Sequence, residues 1–232
     1  MPDVGAVVAA AGRGSRLGAG RNKVFLTLRG KPILLWAVGA LAESSLIGEI
    51  VVAVAPGEEE ECRRLLEEYR LSKVEAVVAG GPTRQESVRK ALGCLSKEFA
   101  LVAVHDGARP FVSEGLLAAL VACAARRGAA IPGVPVKDTV KLLGEGESKV
   151  WQTLPRERLV AAQTPQVFRR ELLEAAHQKA AQEGFTGTDD AALVERLGHP
   201  VWVVEGDYRN LKITTREDLQ LAEFYCSMGM VS

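Results

Sequence analysis

The stretch that most constrains this chain is AAAGRGSRLG at residues 9–18, running on to Lys23. The apolar run at 4–11 reads as a buried strand, and it empties directly into a loop of small residues and cations. Gly12, Gly14, Gly18 and Gly20 carry no Cβ, so the backbone there can approach a ligand closely and adopt positive φ. Successive N–H groups in such a loop form a cradle for an anion. Arg13, Arg16, Arg21 and Lys23 add mobile positive charge, which a plain turn does not need. A polyphosphate suits this chemistry.

Counting separates the common phosphate loops. The dinucleotide fingerprint needs Gly or Ala five residues after its first glycine, and from Gly12 that position holds Leu17. The Walker motif needs Gly-Lys followed by Ser or Thr, whereas Gly30-Lys31 is followed by Pro32. The order A-A-G-x-G-x-R-x-G followed by lysine instead resembles the phosphate loop of nucleotidyltransferases. Those enzymes move a nucleoside monophosphate from a triphosphate onto a phosphate or a sugar. A dehydrogenase is disfavoured by Leu17 and by the long loop ahead of the first helix.

The 232 residues, 47% hydrophobic and 25% charged, have ordinary globular composition. That length suffices for one large α/β domain or two small ones. The formal net charge of zero offers no basic field to nucleic acid. No apolar run reaches bilayer-spanning length, so no membrane partner is expected. A strand beginning by Val4 leaves no room for a leader peptide, and the cytoplasm is the expected compartment. Cys62, Cys94, Cys123 and Cys226 lie far apart without a C-x-x-C, which reads as buried free thiols. The scattered His105, His177 and His199 read as structural or exposed.

Along the chain, β-branched runs alternate with helical periodicity. Strands are expected at 49–55, 74–79, 100–104 and 129–136, the last interrupted by Pro132-Gly133. Helices are expected at 33–43 with Pro32 in the first position, at 58–69, at 84–95 with Thr83 and Glu86 as a capping box, and after Ser113 to about 127. The acidic run at 58–61 reads as a solvated face at a helix N-terminus. Strands alternating with helices imply parallel pairing through right-handed crossovers. Ligands then sit beyond the carboxyl ends of the strands. The glycine loop, Gly80-Gly81 and residues 106–109 all follow strands, so they are expected to meet on one sheet edge.

From Asp138 the texture changes. Residues 139–143 and 149–154 flank a Gly-Glu-Gly-Glu turn and read as a β-hairpin, followed by an apolar stretch at 159–162. A lone hairpin is marginal, so this arm at about 138–162 is expected to pack on a second subunit. Further elements are a helix at 169–183, one capped near Thr188, strands at 201–205 and 210–214, and a last helix from Thr215 to about Ser227. No linker or repeat divides 1–232. A single Rossmann-like α/β domain results, with a mostly parallel twisted sheet, helices on both faces and a projecting arm.

AAAGRGSRLG with Lys23, then GGPTRQESV, VHDGARPF, PVKDTVK, QTPQ, GTDDAALVE and NLKITTREDL occur in this order over essentially the whole chain. The set resembles the 2-C-methyl-D-erythritol 4-phosphate cytidylyltransferases of the non-mevalonate isoprenoid pathway. The resemblance implies the nucleotidyltransferase fold, CTP and methylerythritol phosphate as substrates, Mg²⁺ and a homodimer. It implies backbone contacts to CTP from Ala10, Ala11 and Gly12, and Arg16 and Lys23 on the α-phosphate. Gly81, Ser87 and the backbone at Pro82 are then the cytosine contacts. Pro82 stands where the family often has an acidic residue, which leaves a carbonyl contact possible but not a side-chain or N–H contact. Asp106 and Arg109 are implied as ribose, metal or substrate contacts. Thr139, Arg156, Thr164, Thr188 and Lys212 are implied as the polyol phosphate pocket, with Arg156 reaching in from the neighbouring subunit.

The residue types suit that chemistry. A phosphate monoester has a second pKa of ~6 and is already close to dianionic at neutral pH, so no general base is needed. The task is to bring two polyanions together, which calls for cations and Mg²⁺. A cytidylyltransferase for ribitol 5-phosphate or a related polyol phosphate, and a non-catalytic nucleotide-binding regulator on the same scaffold, remain open alternatives.

Overall fold

The computed structural model describes residues 4–12 and 22–230. In chain order its elements are β1 (Val4–Ala10), β2 (Thr27–Leu28), β3 (Lys31–Pro32), α1 (Ile33–Glu43), β4 (Ile47–Val54), α2 (Glu59–Glu68), β5 (Val74–Ala79), α3 (Arg84–Cys94), β6 (Leu101–Asp106), α4 (Glu114–Arg127) and β7 (Ala129–Pro135). There follow β8 (Lys141–Leu143), β9 (Val150–Thr153), β10 (Val160–Ala162), β11 (Gln166–Arg169), α5 (Arg170–Glu183), α6 (Asp190–Arg196), β12 (Trp202–Glu205) and α7 (Arg216–Ser227).

β1 lies within the main sheet, parallel to β4 on one side and to β6 on the other, with β5 parallel beyond β4. β11 runs antiparallel between β6 and β7, and β12 pairs parallel with β7. The sheet is thus the mostly parallel one expected. β1 and β4 are apolar on both faces because helices cover both. Val8 and Val52 pack in one cluster with Leu35 of α1, Leu66 of α2 and Leu120 of α4. Val7 and Val51 pack in the opposite cluster with Leu92 of α3, Leu173 of α5 and Val194 of α6.

The caps follow the sequence closely. Thr83 Oγ1 accepts from Glu86 N at 3.1 Å, and Glu86 Oε2 accepts from Thr83 N at 3.1 Å. Ser113 caps α4, and Thr215 caps α7 through a second capping box with Asp218.

Several expectations change. β7 runs through Pro132-Gly133 without interruption. Its antiparallel partner switches there, from β11 at residues 129–130 to β10 at residues 133–135. Pro132 therefore needs no N–H for a ladder, and its carbonyl accepts from Gln163 N at 2.8 Å. Residues 210–214 form no strand and join no ladder; Ile213 N instead donates to Ala108 O at 2.9 Å. Asp189, not Thr188, caps α6, accepting from Ala192 N at 2.9 Å. Pro32 is the cap residue of α1 and precedes its first turn. The cysteines are free, but only Cys62 is buried.

The arm is a hairpin of β8 and β9 whose strand residues are all exposed. Among the described residues no helix is long and apolar enough to cross a membrane.

Thr83→Ala removes one half of a capping box. Urea denaturation should show a loss of about 1 kcal/mol, with the native circular dichroism spectrum kept.

Candidate active site

The carboxyl ends of β1, β5 and β6 open into one cavity of about 670 Å³. Residues 9–12 line it after β1, residues 80–84 with Ser87 after β5, and Asp106 and Ala108 after β6. Lys23, Lys212 and Thr214 join them from elsewhere in the chain. The described parts of the three segments, residues 9–12, 80–84 and Asp106 with Ala108, meet as expected for loops at strand carboxyl ends. Arg13, Gly14, Arg16, Gly18, Gly20 and Arg21 lie outside the described residues.

Asn22 fixes the exit from β1. Its Nδ2 donates to Ala10 O at 2.8 Å and to Glu58 Oε2 at 2.7 Å, and its Oδ1 accepts from Val24 N at 3.3 Å. Lys23 follows in a short 3₁₀ turn, and its Nζ donates to Ile213 O at 2.9 Å. Glu58 also accepts from Ala55 N at 3.2 Å. It is therefore a structural brace, which corrects the solvated-face reading of the acidic run at this residue.

The Gly80-Gly81 turn is built for close approach. A Cβ on Gly80 would lie 2.6 Å from Ala11 Cβ and 2.7 Å from Ser87 Oγ, and one on Gly81 would collide with Glu86 Cβ. Ser87 is buried, and its Oγ accepts from Gly81 N at 3.0 Å while donating to Thr83 O at 2.9 Å. Its hydroxyl thereby sets the shape of the turn.

Asp106 is the only carboxylate lining the cavity among the described residues. Its Oδ1 pairs with Arg84 Nε at 3.0 Å and its Oδ2 with Lys212 Nζ at 2.8 Å, with Arg109 Nε at 3.9 Å. Burial alone would raise this carboxyl, but Arg84, Lys212 and Arg109 override it and hold it well below the carboxylate range. Lys212, next to the fully buried Ile213, is only partly exposed and is held in the ion pair with Asp106.

Arg109 and Thr164 do not line the cavity. Arg109 is buried as a strut, donating from Nη1 to Asn210 O at 2.7 Å. Thr164 Oγ1 accepts from Asp106 N at 3.0 Å and lies 3.0 Å from His105 Nδ1. The other ring nitrogen, Nε2, is 3.0 Å from Arg109 O, a carbonyl that can only accept. Nε2 therefore carries the proton, and Nδ1 accepts from the threonine hydroxyl. Burial pushes His105 down from 6.5 to about 4, with the bond to Arg109 O opposing.

Thr139 and Arg156 sit exposed on the arm, away from their own chain's cavity, and Arg156 Nη1 donates to Lys137 O at 2.7 Å. Thr188 is exposed ahead of α6 and also does not line it. Arg84, Asn22 and Thr214 are the cavity's residues and supports that the sequence did not single out. Arg84 left one signal: a cation in the first turn of a helix opposes the dipole, so it needs an acidic partner.

A family model described as 2-C-methyl-D-erythritol 4-phosphate cytidylyltransferase matches residues 4–228. The chain belongs to this family. The enzyme of that name from Caldanaerobacter subterraneus is 46% identical over 224 residues, covering 96% of this chain and 98% of the relative. That from Pelotomaculum thermopropionicum is 49% identical, covering 96% and 94%. The crystal structure of the Thermus thermophilus enzyme is 37% identical, with a TM-score of 0.79, covering 97% of this chain and 99% of that one. The Anaerococcus prevotii 4-diphosphocytidyl-2C-methyl-D-erythritol synthase has a TM-score of 0.85 at 31% identity, covering 97% and 96%. The chain is accordingly a cytidylyltransferase with the nucleotidyltransferase fold that its motifs implied.

Acid should unfold this protein in two windows. The unfolded chain takes up a proton at His105 below pH 6.5, while the folded chain resists to about pH 4, so stability falls across that range. The slope reaches at most about 1.4 kcal/mol per pH unit. Asp106 and Asp190 are held below their ordinary 3.8, so their contribution is present above that pH and is lost only as pH falls further. Urea titrations at pH 7, 5.5 and 4 check the first window, and a flat profile there would contradict it.

Proposed function

We propose that the chain transfers CMP from CTP to 2-C-methyl-D-erythritol 4-phosphate by in-line attack of the substrate's phosphate oxygen on the α-phosphorus. The products are pyrophosphate and 4-diphosphocytidyl-2-C-methyl-D-erythritol. The observation that carries this reading is the meeting of glycine backbone, Lys23, Lys212 and Asp106 in one cavity.

The backbone at Ala10, Ala11 and Gly12 takes the triphosphate, and Lys23 with Arg16 neutralises the α-phosphate as charge spreads in the transition state. At the Gly81-Pro82 turn, Gly81 N is already given to Ser87 Oγ, and Pro82 has no N–H. Carbonyl oxygens remain to read the base. They accept from the 4-amino group of cytosine and repel the 4-oxo group of uracil, which favours CTP. Lys212 turns from Asp106 to the incoming phosphate and orients it. Arg109 and Thr164 act by holding Asp106 in place.

The donor set fits Mg²⁺ carried mainly by the nucleotide. Asp106 offers one carboxylate, and no group of three metal-ligating side chains occurs among the described residues. Mg²⁺ characteristically takes one or two carboxylates plus substrate phosphates. When bound it would offset the charge of the triphosphate oxygens.

The acceptor side of the site is completed by a second copy. Arg156 lies on the arm, away from its own cavity, and the arm exposes Leu143 and Trp151, the latter at 74%. In the homodimer, Arg156 of the partner subunit meets the polyol phosphate, together with Thr139 and Thr188. Free cysteines suit a cytoplasmic enzyme.

Pure protein with CTP, methylerythritol phosphate and Mg²⁺ should release pyrophosphate faster than with ribitol 5-phosphate. The reverse order would move the assignment to the other polyol. Lys23→Ala should lower turnover on the order of 10²–10³-fold, whereas a non-catalytic regulator would have no turnover to lose. For the shared site, Lys23→Ala and Arg156→Ala homodimers are each expected to be impaired. Mixing and re-equilibrating them should recover activity, because each mixed dimer holds one site lacking neither residue. No recovery, with exchange verified, would place Arg156 outside the partner's site.

A further inference from the structure

We infer that Arg84 is a positioning residue for cytidylyl transfer: anchored by Asp190, its guanidinium sets the orientation of the Asp106 carboxylate and so the disposition of Lys212. The inference rests on the functional reading above.

Arg84 opens α3, where the helix dipole disfavours a cation. Two carboxylates hold it there. Nη1 pairs with Asp190 Oδ2 at 2.6 Å, and Nε pairs with Asp106 Oδ1 at 3.0 Å. Asp190 is 1% exposed, and its other oxygen is 3.0 Å from His177 Nε2, itself buried. With both oxygens engaged, Asp190 cannot swing, and the planar guanidinium it holds is fixed in turn. Oδ1 of Asp106 is thereby committed to Arg84, which leaves Oδ2 to Lys212 at 2.8 Å.

Removing the guanidinium has a specific consequence. The Asp106 carboxylate becomes free to rotate and to engage Lys212 with either oxygen. Lys212 is then held back from the incoming phosphate. A lysine at position 84 keeps the charge but not the function. Its ammonium is a compact point charge on a flexible stem, without the rigid fork that reaches two carboxylates in fixed directions. Stability alone does not require this arrangement, since buried ion pairs contribute little net stabilisation relative to apolar packing.

The test compares Arg84→Lys, Arg84→Ala and Asp190→Asn with the unmodified enzyme, following pyrophosphate release and checking folding by circular dichroism. In folded Arg84→Lys, kcat should fall roughly 100-fold, the size expected of a small misplacement. KM for CTP should change by no more than about threefold, since nucleotide binding is retained. Asp190→Asn should lower kcat less, and the double variant should be no worse than Arg84→Lys, because both changes act through one group. Guanidinium ion at tens of millimolar should restore Arg84→Ala saturably by occupying the vacated position between the two carboxylates. Unchanged kcat in Arg84→Lys would overturn the inference, as would a loss in Arg84→Ala that follows the unfolded fraction and is not rescued. An unmodified enzyme that releases no pyrophosphate would instead overturn the functional reading.

Discussion

A single carboxylate, Asp106 at the carboxyl end of β6, holds the site together. A charge withdrawn from water this far persists only when it is paired. Two of its partners come from distant segments, Arg84 from the start of α3 and Lys212 from the segment before α7, while Arg109 follows three residues on in the loop after β6. Each brings its backbone with it, so satisfying one side chain also sets the relative positions of the β5 turn, the β6 loop and the C-terminal segment. The backbone of Asp106 is fixed as well, through Thr164 and the neutral ring of His105.

The sheet supplies the rest of the geometry without special residues. Parallel pairing brings the ends of β1, β5 and β6 to one edge, and glycines at Gly80 and Gly81 let those ends come close. Asn22 does the corresponding work on the other side, joining the carbonyl at the end of β1 to the turn that presents Lys23. Thus the cavity is lined mainly by backbone and small residues, and its charge arrives on a few long side chains rooted outside the first strand.

Much of this was legible in the sequence. Apolar β-branched runs located the main strands, Thr83, Ser113 and Thr215 located helix starts, and strand order foretold which loops would meet. What escaped was long-range pairing. Nothing local to Arg84 indicates Asp190, 106 residues later. Residues 210–214 have the alternation of a strand, but a strand also needs a free neighbouring edge, and here the backbone is spent on Ala108 and Lys23. Pro132 looked like an interruption because the change of partner strand that accommodates it is a tertiary event. Arg109 and Thr164 sit in the expected motifs, but their hydrogen bonds to Asn210 O and from Asp106 N are tertiary contacts that no local pattern announces.

The link between Lys23 Nζ and Ile213 O spans 190 residues, and this bears on how the enzyme is made. Chains emerge N-terminus first and their domains fold as units. Lys23 leaves the ribosome early, long before Lys212, Ile213 and Thr214 can join it at the cavity. A nascent chain can therefore carry much of the sheet while Lys23 still lacks its partner at Ile213. The cavity is therefore complete only once residues 212–214 have been translated.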